Sequence, residues 1–158
     1  MEITNCIEPF LTATVRVFQD LMDLKVSSGQ AEPEGESFIS QGFTVIVGFT
    51  GGWRGWFFLD MAQETAMRLA GNMTGENYDS IQNEDVLLSG AELGNIIGGN
   101  AITEINNIFP GLNIRLTPPS VFAGDNVSMF NLKLNSWSVK VQSTAGAIKL
   151  NVVTEEGK

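Results

Sequence analysis

Ile7, Phe10, Leu11, Val15, Phe18, Leu21, Met22 and Leu24 recur at spacings of three and four, which predicts an amphipathic helix over about residues 7 to 24. From Ser27 to Ser37 the chain turns polar and acidic and holds Gly29, Pro33 and Gly35, so a surface loop is expected there. The period then changes. Phe43, Val45, Val47 and Phe49 alternate with Thr44, Ile46 and Gly48, Gly51-Gly52 follows, and a second apolar run returns from Trp53 to Leu59. Two strands joined at a glycine pair predict a β-hairpin, because glycine accepts the positive φ of tight hairpin turns. Apolar residues lie on both sides of Ile46 and Leu59. The hairpin is therefore either covered on both faces or close to a subunit contact.

Asp60 with Gln63 three residues later has the form of a capping box, opening a short helix through Ala62, Ala66, Leu69, Ala70 and Met73 that Gly71 and Gly75 end. Asn83, followed by Glu84 and Asp85, marks the next helix start, since acidic side chains favour the positive end of the helix dipole. Pro110-Gly111 closes it. The stretch from Asn83 to Asn107 makes a rod of roughly 38 Å at 1.5 Å per residue. The last third reads as strands. Phe130, Leu132 and Leu134 alternate with Asn131, Lys133 and Asn135, then Trp137, Val139 and Val141 with Ser138, Lys140 and Gln142, then Ile148, Leu150 and Val152 with Lys149 and Asn151. Such alternation predicts antiparallel pairing, with one face on the core and one in water. The order αββααβββ fits an α+β fold, long helices packed on an antiparallel sheet. At 158 residues, 43% of them hydrophobic, the chain suits one domain over residues 1–158.

Charge and composition narrow the chemistry. Nine basic against eighteen acidic residues give a net charge of −9, which repels phosphate backbones and anionic lipid and makes nucleic acid and membrane surfaces poor partners. A basic spot on a partner protein suits it better, although solubility alone explains the same charge. There is no histidine, which removes Ser-His-Asp chemistry, Cys-His chemistry and most zinc sites. Cys6 is the one cysteine; it has no internal disulfide partner and no histidine to activate it. No apolar run approaches the roughly 20 residues of a membrane span. Met1-Glu2-Ile3-Thr4 shows no basic region followed by an apolar one, so no signal peptide is read and a cytoplasmic location is expected.

The long helix carries Gly90, Gly94, Gly98 and Gly99 in its interior, and glycine in a helix interior costs about 1 kcal/mol relative to alanine. At 100° per residue Gly90, Gly94 and Gly98 form one ridge, continued by Ala101 and flanked by Leu87 and Ile97. A ridge of small residues admits another backbone closely, so this face is expected to be buried, with the N-terminal helix as its neighbour. Leu88, Glu92, Asn95 and Gly99 lie on roughly the opposite face and should look outward. Glu and Asn at i, i+3 on an exposed helix are ordinary solvated residues, but no packing reason is visible for Gly99, and its missing side chain clears room for docking. The residues alone stop at an exposed polar pair on a clear helical face.

Glu92-x-x-Asn95 inside a glycine-rich helix, followed by Pro118-Pro119-Ser120-Val121, resembles the CheX/CheC/FliY family of chemotaxis phosphatases, its CheX branch most closely. The Ile7-Glu8-Pro9-Phe10 entry to the first helix and the Gly51-Gly52…Gly55 hairpin are similar too, so the likeness covers nearly the whole chain. It implies a CheC-like fold, a protein aspartyl-phosphate phosphatase, and docking of the long helix onto a phosphorylated CheY-type receiver domain. By resemblance Glu92 pairs with a receiver lysine and Asn95 positions the attacking water. Mg2+ then belongs to the receiver, and this chain binds no cofactor or metal. A homodimer through the sheet is implied as well. Phosphoryl transfer to water needs in-line positioning and charge neutralisation more than a strong base, so the missing histidine is no obstacle. One departure stands out: the family pattern usually has serine or aspartate four residues before the glutamate, where this chain has Leu88 and Ser89 is displaced by one.

Other features read as structural. Glu104 with Asn107 lacks the glycine setting and reads as the end of the helix. Trp53 and Trp56 flank a turn and suit core or dimer contacts better than a ligand cage. Gly51-Gly52 precedes neither a Lys-Ser/Thr pair nor a helix, so it is not a phosphate loop. Pro118-Pro119 fixes an extended segment that could brace the long helix. Two further functions compete: a non-catalytic receiver-binding or flagellar-switch-like module of the same fold, and a small-ligand-binding domain, for which no polar cluster stands outside the helix.

Overall fold

The structure, a computed structural model, describes residues 4–35, 37–130 and 135–156. The first helix, α1, runs Thr4–Arg16 and continues through a π-helical turn, Val17–Leu21, in which Val17 and Phe18 are buried in the core. Three short strands follow, β1 (Val26–Ser28), β2 (Glu32–Pro33) and β3 (Ser37–Ile39). The hairpin comes next, as β4 (Gly42–Thr50) and β5 (Trp53–Ala62). Two helices, α2 (Gln63–Thr74) and α3 (Glu84–Ile108), precede the short strands β6 (Arg115–Leu116), β7 (Ser120–Ala123) and β8 (Ser128–Phe130). The chain closes on β9 (Asn135–Ser143) and β10 (Gly146–Glu156).

The main sheet has the order β1-β9-β10-β5-β4-β6, with β2 also beside β9 and β7 beside β4, all antiparallel. This is the expected α+β class, with long helices on an antiparallel sheet. Alternation directs Phe43, Val45, Val47 and Phe49 of β4, Phe57 and Leu59 of β5, and Ile148, Leu150 and Val152 of β10 to one face. There they meet Ile7 and Phe10 of α1 and Leu93, Ile97 and Ile105 of α3. The opposite face is covered as well. The separate β3–β8 pair supplies Phe38 and Met129, which pack with Phe58 and Val153 in a second apolar cluster. Lys149 fastens that cover, pairing with Glu34 at 2.6 Å and lying 4.1 Å from the Phe38 ring centre. Of the two options the alternation left open for the hairpin, coverage on both faces is observed around Ile46 and Phe58, while Trp56 stays exposed on the outer face, and β10 is buried on both faces from Leu150 to Thr154 rather than half in water.

Several local expectations are corrected. The Ser27–Ser37 segment is not a plain loop, because β1 and β2 add to the edge of β9 through backbone hydrogen bonds that composition does not announce. Asp60 caps no helix. It is buried in β5, and its carboxylate accepts from Ser40 Oγ at 2.7 Å, Thr44 Oγ1 at 2.6 Å and the Gln41 amide at 3.0 Å. The N-cap of α2 is Ala62, with no side-chain cap. Gly71 lies inside α2, and only Gly75, in the left-handed conformation at φ 80°, ends it. The regular part of the first helix stops at Arg16. The glycine ridge of α3 faces β4 rather than the N-terminal helix, as set out below. The alternation over Asn131, Leu132, Lys133 and Leu134, and the N-terminal Met1 to Ile3, lie outside the described residues.

Candidate functional site

Asn83 opens α3, its side-chain oxygen accepting from the Asp85 amide at 2.9 Å, with Glu84 and Asp85 in the first turn where the helix dipole favours them. The ridge then lies down on the sheet. A Cβ on Gly90 would stand 2.7 Å from Phe43, one on Gly94 2.7 Å from Val45, and one on Gly98 2.8 Å from Phe57. The three glycines bring the α3 backbone within contact of β4 and β5, with no room for a methyl group. In the last turn of the helix, Asn106 holds the returning chain in a two-point clasp, its amide donating to the Ile114 carbonyl at 2.9 Å and its oxygen accepting from the Ile114 amide at 2.8 Å. The hairpin turn meets the same segment: Gly51 sits at φ 135°, and the Gly52 amide donates to the Leu112 carbonyl at 2.7 Å. Thr117 is bonded to both the amide and the carbonyl of Gly48. Pro118-Pro119 follows as the extended link from β6 to β7 along β4, and Leu116, just before it, reaches the Gly98 turn of α3. Both ends of the long helix are fixed by local caps and clasps, and its middle by close approach to the sheet.

That docking decides what faces solvent. Val86, Ser89, Gly90, Leu93, Gly94, Ile97, Gly98, Ala101, Ile102 and Ile105 are buried. Leu88, Glu92 and Asn95 are exposed, and Gly99 is half-buried with nothing within 4 Å of where its Cβ would be. Glu92 and Asn95, three apart on the helix, have Cβ atoms roughly 5–6 Å from each other. Among the described residues neither side chain has a hydrogen-bond or ion-pair partner. A carboxylate thus stands beside an amide on one exposed helix face. The first can meet a cation from outside the chain, and the second can both donate to and accept from a water molecule.

The remaining candidates separate. Glu104 is half-buried and Asn107 exposed, and both line an open groove of 570 Å³ between α1 and α3, with Ala13, Arg16, Asn100, Thr103 and Ile108. Asn100 and Thr103, which sequence reasoning did not single out, extend the polar surface beyond Asn95; continuing the helical period past Gly99 would have found Thr103. Trp53 is buried in the core, whereas Trp56 is exposed on the outer face of the sheet. Among the described residues no cluster of three or more acidic or cysteine side chains could hold a metal ion, and no helix is long and apolar enough to cross a membrane.

Comparison with known proteins bears on the whole arrangement. Residues 43–142 match the family described as "Chemotaxis phosphatase CheX". The CheX–CheY–BeF3–Mg2+ complex from Borrelia burgdorferi has a chain 29% identical to this one, covering 95% of this chain and 97% of that one with a TM-score of 0.80. The chemotaxis protein CheX from Desulfovibrio desulfuricans is 21% identical, with 96% and 99% of the two chains covered and a TM-score of 0.85. FliY from Thermotoga maritima shares the fold at 14% identity and a TM-score of 0.63, over 96% of this chain and 86% of that one. No curated protein sequence matches the chain.

Proposed function

This chain belongs to the CheX family of chemotaxis phosphatases, and on that premise we propose that it hydrolyses the aspartyl phosphate of a CheY-type receiver domain. The observation that carries the proposal is that Glu92 and Asn95 stand together, exposed on one face of α3 and without partners among the described residues. Glu92 docks a lysine of the receiver, and Asn95 holds a water in line with the phosphorus. Water oxygen then bonds to phosphorus as the phosphorus–carboxylate bond breaks, leaving inorganic phosphate and a free aspartate. An amide takes no proton in this scheme; its part is positioning, which is worth most where the transition state needs little covalent help. Mg2+ is carried by the receiver and neutralises the developing charge. The Borrelia burgdorferi relative, a complex with CheY, BeF3 and Mg2+, supports a receiver partner.

The test is the lifetime of a purified phospho-receiver with and without this protein. Glu92→Ala and Asn95→Ala should each lengthen it towards the unassisted value. A Glu92→Ala/Asn95→Ala double variant as active as the parent would sink the assignment. Exposed Leu88, in place of the family's usual serine or aspartate, favours a second reading, a receiver-binding module without catalysis. In that case Asn95→Ala leaves the lifetime unchanged while Glu92→Lys abolishes binding.

A homodimer through the sheet is part of the proposal. On the outer face, exposed Phe122 of β7, opposite Thr44, and exposed Trp56 of β5, opposite Gly48, lie diagonally to either side of Ile46 of β4, an apolar patch beside an edge strand that a second copy would cover. Light scattering should give twice the chain mass, falling towards the monomer in Trp56→Glu/Phe122→Glu. A receiver partner also implies a cytoplasmic protein.

A further inference from the structure

Leu88 stands one helical turn before Glu92 on the same face, with 58% of its surface open. Its sequence neighbours do the packing, Val86 as a buried residue and Leu87 against the core. Leu88 therefore contributes little to the apolar interior, yet it keeps a large aliphatic side chain in water. Ile96, one turn beyond Glu92, is half-buried with its packed side on the core. Spacings of four put Leu88, Glu92 and Ile96 in one row with Cβ atoms roughly 5–6 Å apart. The Glu92 carboxylate rises between two aliphatic groups, while Asn95 and the clear space at Gly99 run alongside.

A carboxylate in that setting differs from one in open water. Once a partner covers the row, the aliphatic neighbours keep water from the edge of the ion pair; its Coulomb attraction then rises, and a missing or misplaced cation becomes costly, which makes the pairing selective. Leu88 and Asn95 are seven residues apart, roughly 10 Å along the axis. A protein interface of ordinary size, about 800 Å² per partner, centred on the Glu92–Asn95 pair must extend over Leu88. Continuity with the site names the occupant as the receiver itself.

Resting on the reading of Glu92 and Asn95 given above, we infer that Leu88 is a specificity-determining docking residue. It seats in an apolar recess of the receiver beside the lysine that Glu92 meets. It thereby selects receivers with an aliphatic or aromatic residue at that recess over receivers with a charged one. It touches no reacting atom, so its contribution is the same in the bound complex and in the transition state, and it acts on KM rather than kcat.

Phosphate release from a CheY-type phospho-receiver, followed over a range of receiver concentrations, tests this. Leu88→Ala should raise KM about tenfold with kcat within about twofold of the parent. Leu88→Met should restore KM to within about threefold, and Leu88→Asp should raise it further than alanine does. In an Asn95→Ala background, binding to the same receiver activated with beryllium fluoride and Mg2+ should weaken by the same factor on Leu88→Ala. An unchanged KM in Leu88→Ala, or a fall in kcat at constant KM, overturns the inference and leaves the Glu92–Asn95 pair standing. A parent protein that leaves the receiver's phosphate lifetime unaltered overturns the phosphatase reading of the pair, and the role of Leu88 with it.

Discussion

Gly94 and Gly99 lie little more than a turn apart on one helix, and a methyl group would meet opposite fates at the two. At Gly94 it would strike Val45 at 2.7 Å and Val47 at 3.1 Å; at Gly99 it would meet nothing within 4 Å. Val45 and Val47 are stiff, β-branched and themselves buried in the sheet, so they have little room to give. The Gly94 face is shaped by what already lies beneath it inside the molecule. At Gly99 the molecule itself gives no reason to omit a side chain. Glycine in a helix costs the same backbone entropy on either face, so only the surroundings show which glycine serves the fold and which leaves a surface clear. The same division separates Leu93, held in the core, from Leu88, held in solvent five residues earlier.

Substitutions on the two faces can break or sharpen that contrast. The largest effect is expected at the buried ridge. Gly94→Leu must push α3 off β4 and should lower the unfolding free energy by about 3 kcal/mol or more in a denaturant titration; a change below about 0.5 kcal/mol would mean that the helix does not rest on the strand as described. Next comes Asn95→Ala, which should slow phosphate release at saturating receiver about 100-fold, close to 3 kcal/mol in barrier height, while the denaturation midpoint stays at the parent value. If the midpoint fell with the rate, Asn95 would belong with the packing residues and the division between faces would fail. The smallest effect has the opposite sign. Gly99→Ala should stabilise the protein by about 0.5–1 kcal/mol, measured by the same titration, since an exposed helix interior gains from alanine. A loss of stability there would reveal a neighbour that the open face does not show.

Much of this contrast was legible along the chain. The Asn83 cap, the acidic first turn and the burial of the Gly90, Gly94, Gly98 and Ala101 face with Ile97 beside it depend on residues within a turn or two of one another, and all stand where the pattern put them. Gly51 likewise takes the positive φ that the hairpin turn demanded. Asp60 shows where such reading stops. Its spacing to Gln63 imitates a capping box, but strand pairing puts Thr44 directly across from it, and a buried carboxylate there takes the hydroxyls of Ser40 and Thr44 as partners. Nothing local distinguishes the two outcomes. The polar segment after the first helix is a similar case, since β1 and β2 exist only because β9 offers an edge to pair with.

The sequence by itself determined the long helix, which of its faces is apolar, and that Glu92 and Asn95 share the other one. Those features follow from a helical period and a cap, whose interactions reach no further than four residues. Only the tertiary structure decided that the ridge of Gly90, Gly94 and Gly98 lies on the β4–β5 hairpin rather than on the first helix, that a second apolar cluster covers part of the outer face of the sheet, and that Glu92 and Asn95 have no partners among the described residues. These depend on contacts between residues distant in the chain, where the register of one strand and the bulk of Phe43, Val45 and Phe57 set the fit.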